Sequence, residues 1–154
     1  STADTLDPAK ASNATDYVRC CAFYNRLTFL DGQGETQMEL AESVESVDAK
    51  VWTVKLRKGV TFHDGKSLTA DDIVFSLNRH LDPAVGSKVN AIAKQITGVK
   101  KIDDTTAEIT LESANADLPT ILAMHHFMIV ADGTTDFSKG NGTGPFVCKE
   151  FQPG

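Results

Sequence analysis

His63-Asp64 has the residue types of an acid–base pair, and His125-His126 offers two imidazoles of the kind that titrate near neutral pH. Neither pair has the spacing its chemistry needs. Neighbours on a tight turn rarely face each other, and Asp64-Gly65 is a common turn dipeptide, so His63-Asp64 reads as a structural turn. Adjacent histidines cannot share one metal in the i, i+4 manner of a helical zinc motif. His125-His126 does stand where a helix hands over to a strand, and in α/β folds such ends face the ligand crevice. Gly140-Asn141-Gly142-Thr143-Gly144-Pro145 is glycine-rich but lacks the Gly-Lys-Ser/Thr ending that holds phosphate and magnesium. Its glycines instead allow unusual φ angles and close backbone approach, as suits a chain leaving one packed unit for another. Cys20, Cys21 and Cys148 are odd in number and include no CxxC, so they make no zinc site of standard spacing. Cys20 and Cys21 point different ways on a helix, so at most one can meet Cys148, and buried free thiols are the simpler reading. Asn13-Ala14-Thr15 and Asn141-Gly142-Thr143 match glycosylation sequons, tripeptides that arise often by chance. No nucleophile, base and orienting group come together, and no cofactor motif is present.

Composition narrows the classes further. A chain of 154 residues can bury a sizeable core as one domain. Its formal charge of -6 argues against nucleic acid, which demands clustered Lys and Arg; Lys100-Lys101 and the Lys55-Arg57-Lys58 cluster read as solvated turns and strand faces. No apolar run reaches the roughly 18 residues of a spanning helix, and no basic-then-apolar leader is seen.

The elements that must position these residues follow from periodicity. Trp52, Val54 and Leu56 alternate with Thr53, Lys55 and Arg57, the pattern of a half-buried strand. Lys58-Gly59 turns into a second short strand, Val60-Thr61-Phe62, and His63 to Lys66 turns again. Thr69 and Asp72 form a capping box for a helix carrying Ile73, Leu77 and Leu81 on one face, stopped by Asp82-Pro83. Tyr17, Cys20, Cys21, Tyr24 and Leu27 predict one amphipathic helix over 16–30, ending at the turn Asp31-Gly32-Gln33-Gly34. A strand over 40–47 pairs with 51–57 across Asp48-Ala49-Lys50. Val89, Ile92, Ala93 and Ile96 predict a helix. Val99 and Ile102 form a second hairpin with Ala107, Ile109 and Leu111 across Asp103-Asp104-Thr105. Asp117 is placed to cap a helix over 118–125, with Pro119 in its first turn, before a buried strand Phe127 to Val130. There is no internal repeat and no low-complexity tract.

As a string, residues 52–81 (WTVKLRKGVTFHDGKSLTADDIVFSLNRHL) closely resemble the signature segment of the family 5 extracellular solute-binding proteins, the oligopeptide, dipeptide and nickel receptors of ABC importers. Thr5-Leu6-Asp7-Pro8 resembles that family's T-L-D-P near the mature N-terminus. Gly142-Thr143-Gly144-Pro145-Phe146, with Lys149-Glu150-Phe151 and Pro153-Gly154 behind it, resembles its G-T-G-P-Y…K-E-F…P-G. The order and approximate spacing of all three blocks match.

The resemblance implies an α/β, periplasmic-binding-protein-like fold of type II, comprising part of lobe I and the family's extra subdomain, with the second lobe absent. It divides the chain into residues 1–40, the start of lobe I; 41–140, the hairpin- and helix-containing part of lobe I and the extra subdomain; and 141–154, a crossover segment. It implies an extracytoplasmic receptor that captures a peptide-like solute and docks on an ABC permease, with no enzyme activity, no cofactor and no nucleic acid. The location would be periplasmic, or tethered to the cytoplasmic membrane surface, with the leader already removed. Ser12 and Asn13 are implied to lie on a loop entering the cleft, one of His125 and His126 to line it, and the Gly144 backbone to approach ligand. Alternatives within the family are a nickel chelate, an oligosaccharide or an opine-like compound. Outside it stand a metal hydrolase using His63, His125 and His126, or an interaction fragment that self-associates through an uncovered apolar face.

Overall fold

A computed structural model describes residues 4–149 and Phe151. Glu150 and Pro153-Gly154 of the third sequence block lie outside them. The described chain is mixed α and β. Strands β1 (Thr28–Leu30) and β2 (Thr36–Met38) form a small hairpin. Strands β3 (Ala41–Glu45), β4 (Val51–Leu56), β5 (Ile96–Asp103) and β6 (Thr106–Leu111) make an antiparallel sheet in the order β3-β4-β6-β5. Both hairpins expected from alternation are present. Trp52, Val54 and Leu56 point inward beside Ala107, Ile109 and Leu111, and the register sets Trp52 against Ile109 and Val54 against Ala107.

One face of this sheet is covered by helix α2 (Ala70–Asn78), which buries Ile73 and Leu77 against β5 and β6. The capping box at Thr69 is present, and Asp72 carries it: its side chain holds the Thr69 N–H, while the Asp72 N–H donates to the Thr69 carbonyl at 3.0 Å. That carboxylate is fully buried and accepts the Thr69 N–H at 2.8 Å, the Asp132 N–H at 2.8 Å and the Lys66 ammonium at 2.7 Å. Asp72 therefore ties the helix start to two distant segments as well as capping it.

Several elements are shorter than periodicity suggests. Helix α1 (Ala14–Phe23) ends before Leu27, because Tyr24 turns extended and residues 28–30 pair in β1. The apolar spacing of Leu27 continues the helical period by coincidence; its side chain packs in the sheet's core. Val60 to Phe62 forms only an isolated bridge, Thr61 to Ser67. Helix α2 stops at Asn78, and the next residues continue as i→i+3 turns such as Leu81 N–H to Asn78 O. Helix α3 is one turn, Asn90–Ala93; Ile92 stays partly exposed and Ile96 opens β5. Helix α4 is Leu118–Leu122, and Asp117 does not cap it, its own N–H being held by the Asn115 side chain at 2.9 Å.

Residues 128–131 are extended and buried but join no sheet, meeting Arg26 only in an isolated bridge at Met128, and the period-2 alternation from Phe127 onward serves two cores. Phe127, Ile129 and Ala131 face the large core under the sheet, while Met128 and Val130 face a smaller one with Ala11, Cys20 and Tyr24. Beyond that bridge, the backbone is satisfied by single groups from distant segments. Ile129 N–H donates to Asn25 O at 2.9 Å, and Ser76 Oγ both receives the Val130 N–H at 2.9 Å and donates to Val130 O at 3.0 Å.

Candidate functional site

Helix α1 begins at Asn13, whose side chain accepts the Asp16 N–H at 2.9 Å and donates to Asp16 Oδ2 at 3.0 Å. Asp16 is fully buried and also receives the backbone N–H groups of Thr5 and Ser12, each at 3.3 Å. One carboxylate thus shapes the whole loop 5–13. Asn13 is exposed, but its side chain is committed to the cap; Ser12 is exposed, and its hydroxyl makes no hydrogen bond among the described residues. The Asn13-x-x-Asp16 spacing is a capping pattern the sequence already contained.

A 3₁₀ turn, His125–Phe127, brings the two histidines to this loop. His126 Nε2 lies 2.8 Å from Ala11 O, which fixes its tautomer as Nε2–H, and its Nδ1 is buried without a partner. Tyr17, one turn into α1, stacks on His125 with ring centroids 5.1 Å apart and meets His126 edge-on at 5.5 Å. His125 is the exposed member. Burial, then the Arg26 and His126 charges, lower its pKa, so its ring is neutral at pH 7 and can accept a hydrogen bond as well as stack. Four expected site residues, His125 and His126 and the Ser12 and Asn13 of this loop, therefore come together, with Tyr17 added. Periodicity marked Tyr17 only as part of a helix's apolar face.

Gly144 is elsewhere, with its backbone against protein. Its N–H donates to Phe23 O at 2.9 Å and Phe146 N–H donates to Ala22 O at 3.0 Å, satisfying carbonyls that α1 leaves open at its C-terminus. A Cβ on Gly144 would stand 2.6 Å from Phe23 C and 2.7 Å from Ala22 O, so only glycine fits. The other side of this segment is held by the His63-Asp64 turn. His63 Nε2 lies 2.8 Å from Gly144 O, His63 N–H donates to Gly142 O at 2.9 Å, and Asp64 and Asn141 exchange two bonds at 3.2 and 3.1 Å. His63 is thus a fastener, far in role from a metal ligand. Among the described residues no three His, Cys, Asp or Glu side chains are grouped to hold a metal. The cysteines are free, and burial pushes the Cys20 thiol up to about 12.

Residues 35–154 match the model of bacterial extracellular solute-binding proteins, family 5 Middle. The chain belongs to this family. It is 35% identical to Heme-binding protein A of Haemophilus influenzae, over 84% of this chain and 29% of that protein. Glutathione-binding protein GsiB of Escherichia coli strain K12 is 37% identical, over 77% of this chain and 23% of the relative. Among solved structures, the murein tripeptide binding protein MppA of Escherichia coli superposes with a TM-score of 0.86 at 27% identity, covering 97% of this chain and 35% of MppA. The family 5 chain therefore has the periplasmic-binding-protein fold and spans about a quarter to a third of its relatives' length. Those relatives are binding proteins. Among the described residues no helix is long and apolar enough to cross a membrane.

Proposed function

We propose that this family 5 chain supplies one wall of a cleft that captures a peptide-like solute outside the cytoplasmic membrane for an ABC permease. It works by selective binding and closure, without catalysis. In this reading residues 1–40 start the first lobe, 41–140 carry the hairpin- and helix-containing part of that lobe and the extra subdomain, and 141–154 are the crossover segment. The observation that carries it is the aromatic patch of Tyr17, His125 and His126 over the Ser12–Asn13 loop. A neutral exposed imidazole stacked on a phenol offers a flat apolar face and a hydrogen-bonding edge, which suits amide planes of varied sequence. The names of the relatives, glutathione- and murein-tripeptide-binding, agree with this solute class.

Calorimetry of the intact receptor with a panel of di- and tripeptides tests the proposal. His125→Ala should weaken binding about tenfold with Tm unchanged, since the ring is exposed and holds no buried group. Equal affinity in both His125→Ala and Tyr17→Ala would remove the patch from the site. A second reading, a non-peptide solute, is favoured by the stacked imidazole together with the Heme-binding protein A similarity. Mass spectrometry of the co-purified ligand separates the two.

A further inference from the structure

The turn that carries His125 and His126 is clasped by a residue just past the end of α1. Arg26 makes an isolated antiparallel bridge with Met128, and its Nη1 donates to Ala123 O at 3.0 Å. It therefore holds the chain on both sides of the two histidines. Its charge reaches the His125 ring, where it acts with that of His126, and no carboxylate pulls the other way there.

The arginines that are at least partly buried differ in one respect. Arg19 is paired with Asp4 at 3.3 Å, and Arg79 grips both oxygens of Asp7 at 2.8 Å. Arg26 has no ion pair among the described residues. Two carboxylates lie in its neighbourhood, and both are committed elsewhere. Glu39 Oε1 accepts the Arg26 backbone N–H at 2.7 Å and makes no ion pair with the guanidinium. Asp16 lies under the Ser12–Asn13 loop, bonded to the Asn13 side chain at 3.0 Å and paired with Arg19 at 3.9 Å.

Within the guanidinium, Nη1 is spent on Ala123. Nε is buried with no acceptor, and Nη2 has none among the described residues and is open to solvent. Nε and Nη2 share one edge of the planar group, the edge that takes a carboxylate in two parallel N–H bonds. Half-burying a cation without an anion is costly, and a planar anion supplied from outside offsets that cost.

We propose that Arg26 is the anion anchor of the Tyr17–His125 patch. Its Nε and Nη2 receive a carboxylate of the solute while the stacked rings take the flat group beside it. This role rests on the patch being part of the solute cleft, and it makes the captured solute an acid, with its carboxylate at a C-terminus or on a side chain.

Ligand-observed NMR on the intact receptor, with benzoate and with its neutral counterpart benzamide, reads the anchor directly. Benzoate should bind about tenfold tighter than benzamide, and the difference should vanish in Arg26→Gln. Glu39→Gln keeps an acceptor for the Arg26 N–H and removes a negative charge, so it should tighten benzoate about twofold and leave benzamide unchanged. Should Arg26→Gln fail to fold, Glu39→Gln decides, and unchanged benzoate binding there overturns the proposal. Equal binding of benzoate and benzamide, or a benzoate preference that survives Arg26→Gln, overturns it too. Calorimetry with Ala-Tyr-Ala, its C-terminal amide and Ala-Tyr-Glu amide separates the sources of the carboxylate. Weakening by Arg26→Gln confined to the free acid assigns the C-terminus, and weakening of the glutamate peptide assigns the side chain. Tripeptide binding indifferent to both the carboxylate and Arg26 overturns the anchor and leaves the cleft reading standing. Arg26-dependent benzoate binding with no peptide bound would uphold the anchor and remove the peptide reading instead.

Discussion

The large core beneath the sheet and the small core around α1 are built by different means. Under the sheet, alternating strands and one amphipathic helix bury Val54, Ile73, Ala107, Ile109 and Leu111 to zero exposure, and main-chain ladders satisfy the backbone. Around α1, the core is five residues, and irregular segments are stitched to it by side chain-to-backbone bonds from Ser76, His63 and His126. Apolar area secures the first, roughly 25 cal/mol for each Å² buried. Geometry of single groups secures the second, and the residues proposed for recognition sit there.

Asp72 joins the two regions, so its loss should have the largest effect. Asp72→Ala leaves two backbone N–H groups and the Lys66 ammonium without their acceptor. Lys66 is 40% exposed and can turn to water, so the cost is set mainly by the amides and the lost cap, about 3 kcal/mol. Chemical denaturation that shows less than 1 kcal/mol would mean the regions are held together by packing alone.

His80 lies where the two regions meet, its ring 4.8 Å from Phe127 and its Nδ1 2.6 Å from Ser87 Oγ. Burial first, then the Arg79 and His126 charges, lower its pKa to about 3, and the opposing pull of the His126 backbone is too weak to prevail. The folded protein therefore keeps His80 neutral while the unfolded chain protonates it near 6.5. Its contribution is complete above pH 6.5 and is lost as pH falls from there toward 3. At pH 4.5 this amounts to about 2–3 kcal/mol. Denaturation midpoints of wild type and His80→Gln between pH 4.5 and 7 should converge on acidification; parallel curves would reject the linkage.

The third expectation is smaller and local. Gly144→Ala forces a Cβ into the α1 C-terminus and should cost about 1–3 kcal/mol. Hydrogen exchange should rise at Gly144 and Phe146 while the sheet amides stay protected. Exchange rising equally in β4 and β6 would show that the regions unfold as one.

Strands β3 to β6 and the start of α2 were legible because each writes its own period into the chain, and a hairpin's partner lies a few residues away. The sequence blocks around Thr5, Trp52 and Gly142 identified the family for the same reason: they are contiguous. The end of α1 was not legible, since Leu27 keeps the helical period while its backbone goes to β1. Nor was the shortness of α4, and the segment read as a buried strand over 127–130 is buried and extended from Met128 on, but its hydrogen bonds run to Ser76 and Asn25 instead of to a strand. Of the site, the sequence by itself determined the residue types at Ser12, Asn13, His125 and His126. Tertiary structure alone decided that Gly144 spends its backbone on α1 and that Tyr17 completes the patch. The reason is physical. Periodicity records which face is buried, whereas hydrogen-bond partners 54 to 118 residues apart, such as Thr143 and Asn25, exist only once the chain has closed.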